Sequence, residues 1–345
     1  MISRKLAQFA AIVAGGSLAL SACSSSSGTT ETNAAGLSVV TTTTQLADFA
    51  SNVAGDAASV QSMLTVGASA HQFDPTPADL ATLGNADVLI VNGAGLDEFI
   101  DSAIEASGFS GELIDASAGV DLELAREITA EAEHEDEHAH DEEHAHDEEH
   151  AHDQSLNPHL WTSPTFAIDM VQEITRGLVA ADPAQAAVFE ENSLAYQQQL
   201  ELLDAWVAEQ FARVPAEDRV LVTGHDSLRY FVHDYDITFA GALLPSFEDN
   251  AEPSAAEIDE VVAAIRESGA QAVFVESTLS PKLAQTVAKE AGVKVIDENV
   301  LFVDVLGGPD SGAHSYIAAT ISNTKTLLEA WGVTPDPVPA ELAGA

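Results

Sequence analysis

The sequence is almost without cysteine and poor in cations. One cysteine in 345 residues excludes a disulfide framework, a Cys-rich zinc module and a CxxC redox pair together. Twelve Lys and Arg stand against 56 Asp and Glu, a formal charge of −44 with His neutral. That is the wrong sign for a phosphate backbone, so nucleic acid is excluded as a partner. Three methionines, Met1 among them, are too few for a thioether Cu(I) carrier. No Gly-x4-Gly-Lys-Ser/Thr loop occurs, and outside one acidic repeat there is no His-Glu-x-x-His. ATP hydrolysis and zinc hydrolase chemistry are therefore not expected of this chain, and no enzyme is. What is present is a folded protein's share of apolar residues, 46%, in a length that predicts about two domains at roughly 150 residues each. Imidazole and carboxylate are the chemistry left, and there are 12 histidines.

The N-terminus predicts where the protein works. Arg4 and Lys5 precede an apolar stretch from Phe9 to Leu20 that is too short for a membrane span, so residues 1–22 read as an export signal. Leu20-Ser21-Ala22-Cys23 resembles the bacterial lipobox, which implies that Cys23 is lipidated and holds the protein on the outer face of the cell membrane. Residues 23–36, rich in Ser, Thr and Gly, read as a flexible tether. Removal of the signal leaves 10 basic residues against 56 acidic ones, a charge of −46.

From Ser38 onward apolar β-type runs alternate with helical patterns. Strands are expected at Ser38–Thr42, Gln61–Val66, Asp87–Asn92 and Glu112–Asp115, then at Val220–Gly224, Thr238–Ala242, Gln271–Ser277 and Lys294–Asp297. This order predicts an α/β fold of two lobes with parallel sheets. Helix starts are marked at Thr76-Pro77, Ser163-Pro164 and Ser280-Pro281, and by the capping box Ser254 with Glu257. Between the lobes, 182–213 lacks Gly and an interior Pro, and reads as a long rigid joining helix of roughly 45 Å. The expected lobes are 37–181 and 214–345.

Residues 131–153 differ in kind, with no Lys, Arg, Gly, Pro or large apolar residue. Glu-His-Ala-His-Asp occurs three times at a period of six from Glu137. Such a pattern buries nothing, so a solvated, mobile loop is expected. It holds His134, His138, His140, His144, His146, His150 and His152, an auxiliary set for weakly held Zn²⁺ or similar ions.

Outside the loop, His71 and His225 each follow a strand end and His159 precedes a helix start. Ligands bind beyond the carboxyl ends of parallel strands, so these histidines point to one cleft. His71-Gln-Phe-Asp-Pro-Thr-Pro-Ala-Asp79, Asn157-Pro-His-Leu-Trp161 and Gly224-His-Asp-Ser-Leu-Arg-Tyr-Phe231 resemble the ligand motifs of the zinc or manganese solute-binding lipoproteins of ABC transporters. Further matches are Asn92-Gly-Ala-Gly-Leu96, Ala251-Glu-Pro-Ser254, Phe274-Val-Glu-Ser-Thr-Leu-Ser-Pro-Lys282 and Gly312-Ala-His-Ser-Tyr316. The resemblance spans about Leu37 to Trp331 and implies an interlobe ion held by His71, His159, His225 and a carboxylate. Asp304 in Asp304-Val-Leu-Gly307 matches that carboxylate's place, with Val305 where the family usually has Pro. Asp297 and Glu298 are nearby competitors. His233 reads as a charge partner for a helix C-terminus and His314 as a surface or helix-start residue. The resemblance also implies a membrane permease and a separate ATPase subunit as partners, a monomeric binder, and Zn²⁺ as cargo, since Mn²⁺ sites use more oxygen ligands. A manganese-specific binder and a metal-buffering surface lipoprotein or adhesin remain the alternatives.

Overall fold

The computed structural model describes residues 36–137, 156–244, 246 and 252–344, with the backbone alone for 131–137. Cys23, the export signal and most of the tether lie outside them, as do His138, His140, His144, His146, His150 and His152.

The first half is a four-stranded parallel sheet in the order β2-β1-β3-β4. Its strands are β1 (Leu37–Thr41), β2 (Ala58–Ser62), β3 (Val88–Val91) and β4 (Glu112–Asp115). Leu37 pairs with Ala58 and Val39 with Val88, so β1 is covered on both edges. Parallel strands need crossovers, supplied by α1 (Thr44–Ala54), α2 (Pro77–Leu83) and α3 (Ile100–Ser107). The expected helix start is present at Thr76, which caps α2, with Asp79 completing a capping box. In the second half, β5 (Val220–Thr223) pairs with β6 (Thr238–Ala242), and β7 (Ala272–Glu276) with β8 (Lys294–Leu301), all parallel. The helices there are α7 (Arg229–Asp234), α8 (Ala255–Ser268), α9 (Pro281–Ala291) and α10 (Tyr316–Ala330). Ser254 caps α8 reciprocally with Glu257.

Two expectations are corrected. The strand expected at Gln61–Val66 lies earlier, at Ala58–Ser62. Pairing with β1 fixes that register, and Val66 is 61% exposed in the loop beyond. The loop expected from residue 131 is helical at its start: α4 (Leu122–Glu137) carries the backbone through His134. Glu and Ala are good helix formers.

α5 (Pro164–Ala181) and α6 (Ala186–Phe211) lie between β4 and β5 in the chain, separated by a short 3₁₀ turn at Pro183–Gln185. At 1.5 Å per residue α6 is about 39 Å long. It is packed along its length rather than free, against α1, α5 and α10. Phe189, Tyr196, Leu200, Leu203, Trp206, Val207 and Phe211 form its buried stripe, at the three-and-four spacing of one helical face. They belong to one apolar core that runs from Val39 to Leu342. At its end Phe211 meets Phe231, Tyr235 and Trp331, with ring centroids 5.7, 5.6 and 5.7 Å away.

Phe211→Ala removes a ring that is 1% exposed and has three aromatic neighbours. The expected loss is about 3–5 kcal/mol of unfolding free energy, measured by denaturant titration. A loss below about 1 kcal/mol would contradict the packing of this helix end.

Candidate metal centre

Each half contributes two side chains to one point. His71 stands beyond β2, and His159 directly precedes the 3₁₀ turn Leu160–Thr162 that leads into α5. His225 lies two residues past the end of β5, and Asp304 three past the end of β8. The four sequence-predicted residues come together: one donor atom from each lies within 4.8 Å of all the others. His71 Nε2 is 3.1 Å from His159 Nε2. Asp304 Oδ1 is 3.3 Å from His159 Nε2, and Oδ2 is 3.4 Å from His225 Nε2. The three rings converge, with centroids 5.1 to 5.8 Å apart.

A four-coordinate ion with bonds of about 2.0–2.1 Å needs neighbouring donors about 3.3 Å apart; the contacts of 3.1, 3.3 and 3.4 Å are of that size, and all four donors lie within 4.8 Å of one another. Among the described residues, buried Asp304 Oδ1 and both ring nitrogens of His225 make no well-formed hydrogen bond, although Glu276 Oε2 lies 2.6 Å from Nδ1. Unsatisfied buried polar atoms are costly, and Asp304 Oδ1 and His225 Nε2 face the same point. The donor set therefore suits a divalent cation with nitrogen and oxygen ligands.

The frame behind the ligands is made of buried hydrogen bonds. Asn157 Oδ1 accepts from the backbone N–H of His159 at 3.1 Å and lies 2.8 Å from its ring Nδ1. The Asn157 amide is fixed because its Nδ2 donates to the Asp226 carbonyl at 2.7 Å. Nδ1 therefore carries the His159 proton, and Nε2 turns its lone pair to the centre. Asn92 donates through Nδ2 to the Pro158 carbonyl at 3.0 Å, holding the segment before His159. The turn after Asn92 has positive φ at Gly93, where a Cβ would lie 2.0 Å from Asp115 Oδ1. Only glycine fits there. On the other side, the carbonyl of Val303 accepts from Gln45 Nε2 at 2.6 Å and from Trp161 Nε1 at 3.0 Å. Both donors belong to the first half, so the residue before Asp304 is fixed from across the cleft. Thr278 Oγ1 donates to Asp304 Oδ2 at 3.2 Å.

Burial sets the electrostatics. Desolvation lowers the pKa of His159 to about 4, against the opposing pull of Asp304. Burial also disfavours charge on His225, but Glu276 and Asp304 together raise its pKa well above the usual imidazole value. Asp304 is desolvated too, yet His225 and His159 hold its carboxyl well below the ordinary carboxylate range.

The remaining sequence candidates lie elsewhere. Asp297 accepts from Gln285 Nε2 at 2.8 Å on β8, and Glu298 is exposed. His233 sits in the last turn of α7, 3.3 Å from Asp234, and His314 is exposed just before the Ser315 cap of α10. Asn157 and Glu276 were not assigned roles by the motifs. For Glu276 the available sign was a charged residue closing the otherwise apolar run Ala272–Val275.

A family model described as ZnuA, zinc-uptake complex component A periplasmic, matches residues 39–330. The iron-binding protein YfeA of Yersinia pestis is 31% identical over 294 residues, 85% of this chain and 86% of the relative. The manganese-binding lipoprotein MntA of Halalkalibacterium halodurans is 28% identical over 293 residues, 85% and 88% of the two chains. The solved periplasmic zinc binding protein TroA from Treponema pallidum has the same fold, with a TM-score of 0.73 at 24% identity over 86% of this chain and 99% of that one. The match over almost the whole described chain, together with a two-lobed fold that brings four metal-type donors to one point, places this protein in the ZnuA family of metal-binding solute-binding proteins.

Proposed function

We propose that the chain captures Zn²⁺ outside the cytoplasm in the centre formed by His71, His159, His225 and Asp304, and delivers it to a membrane permease driven by a separate ATPase subunit. The observation that carries this reading is the convergence of three imidazole nitrogens and one carboxylate on one point, all within 4.8 Å of one another. Relatives bear names for iron, manganese and zinc binding, so membership alone does not choose the cargo. The donor chemistry favours zinc, because manganese prefers more oxygen ligands. The manganese reading draws on MntA and predicts Mn²⁺ as the ion that survives competition.

Four protein donors fill a tetrahedral shell, which suits holding an ion rather than activating water at an open position. The His-Glu-x-x-His pattern at His134 to His138 runs into the first unit of the acidic repeat and has no role in this reading. Histidines 134, 138, 140, 144, 146, 150 and 152 are proposed to gather ions weakly around the tight centre, on a monomer held to the membrane by lipid on Cys23. Among the described residues no helix is long and apolar enough to cross a membrane.

Three outcomes follow from this reading. His225→Ala, made in a chain lacking 138–153 so that the repeat does not bind, weakens Zn²⁺ binding by at least about 100-fold in chelator competition. Binding within about twofold of the parent refutes the site. Zinc uptake also releases about one proton per ion near neutral pH. His225 is protonated in the metal-free protein because its pKa is raised, whereas His159, with a pKa of about 4, is already neutral. Apparent affinity therefore rises with pH, by up to about tenfold per unit while His225 carries its proton. Calorimetry in buffers of different ionisation enthalpy counts the proton, and a count near zero contradicts the assignment. Finally, Cys23→Ser moves the protein from the membrane fraction to the soluble extracytoplasmic fraction, and unchanged membrane association overturns the lipid anchor.

A further inference from the structure

We infer that Glu276 is the positioning residue of the metal centre: its carboxylate keeps a proton on His225 Nδ1 and so presents the bare Nε2 to the ion. This rests on the reading that His225 is a ligand. Glu276 closes β7 and is 1% exposed. Its Oε1 accepts from the backbone N–H of Gly224 at 2.9 Å and of His225 at 3.2 Å. Its Oε2 lies 2.6 Å from His225 Nδ1 and 3.4 Å from Ser227 Oγ. The carboxylate thus bonds the backbone of the ligand residue with one oxygen and places the other against its ring at ion-pair distance. Gly224 makes the approach possible, because a Cβ there would lie 3.2 Å from Oε1 and 2.2 Å from Leu279 Cδ1.

A buried carboxylate is costly and needs a partner. Here the close partner is the ring that faces Asp304 with its other nitrogen. A carboxylate behind a ligating imidazole fixes its tautomer and raises its basicity. The comparison with His159 shows why the group is an acid on this side. Asn157 orients the His159 ring with a neutral amide, so the outer partners differ by one charge. Asp304 alone leaves a divalent ion half neutralised in a site where three ligands are fully buried. Glu276, acting through the His225 ring, supplies the second negative charge, and the loaded centre is electrically neutral.

The rival explanation is that Glu276 merely ties the turn after β5 to β7. Glu276→Gln separates the two, because its amide oxygen keeps both backbone bonds while its NH₂ faces Nδ1. An NH₂ there forces Nδ1 to accept and puts the ring proton on Nε2, toward the ion. With Zn²⁺ as the probe, in competition with a chelator and on the full chain, Glu276→Gln is expected to raise Kd by about 10–100-fold. In a His225→Ala background the same change has an effect of less than about twofold. Binding by Glu276→Gln within about twofold of wild type overturns the inference. Long-range ¹H–¹⁵N correlation of the zinc-loaded wild type provides a reading that needs no variant. The expected spectrum has His225 metallated at Nε2 with a proton on Nδ1, and metallation at Nδ1 overturns the inference. If His225→Ala alone leaves the affinity unchanged, the ligand assignment itself fails; if only Glu276→Gln is silent, the assignment stands and the positioning role falls.

Discussion

Three imidazoles and a carboxylate crowd one dehydrated point, and the cost of removing them from water governs the structure around them. Left without partners, such groups neutralise or turn away. Here the three buried groups are braced from behind: Asn157 against His159, Glu276 against His225, and Thr278 with the doubly accepting Val303 carbonyl around Asp304. The opposite pKa directions of His159 and His225 follow from the same cause. Burial acts on both, but only His225 stands between two carboxylates.

Holding those bonds in register demands that the two halves keep their places, and the core provides for it. The stripe of α6 joins apolar residues from β1 to the far end of α10 in one packed body. Tyr316 on α10 donates its hydroxyl proton to the Trp161 carbonyl at 2.7 Å, and Tyr230 donates to the Asn157 carbonyl at 2.6 Å. The same two segments that carry His159 and its amide partner are thus gripped by aromatic residues from the second half.

Much of this was legible in the sequence, and the limits have physical reasons. His71, His159, His225 and Asp304 could be placed together because strand ends in parallel sheets share an edge, and because their local motifs resemble a known family. Strand positions fixed by pairing were less legible: Leu64-Thr-Val66 has the look of a strand, but β1 pairs with the five residues ending at Ser62. The start of the acidic repeat was read as loop for want of a buried face, although helix propensity alone extends α4 to Glu137. Glu276 and Asn157 were the hardest, since a group that works through another side chain has no spacing of its own. Only the fold shows that Glu276 and His225, 51 positions apart, are in contact.

The four donors differ in access. His159, His225 and Asp304 are closed to solvent, whereas His71 is part-exposed and lines a polar pocket of about 350 Å³ with Gln72, Phe73, Gly95, Leu96 and Glu98. In the proposed centre, a donor approaching from this pocket meets His71 before the other three residues, which makes that imidazole the first to be exchanged. Residence time then depends on how readily a single ring lets go, while the depth of the binding well depends on all four. Retention and hand-over, which pull against each other in a symmetric cage, become separately adjustable properties of one centre.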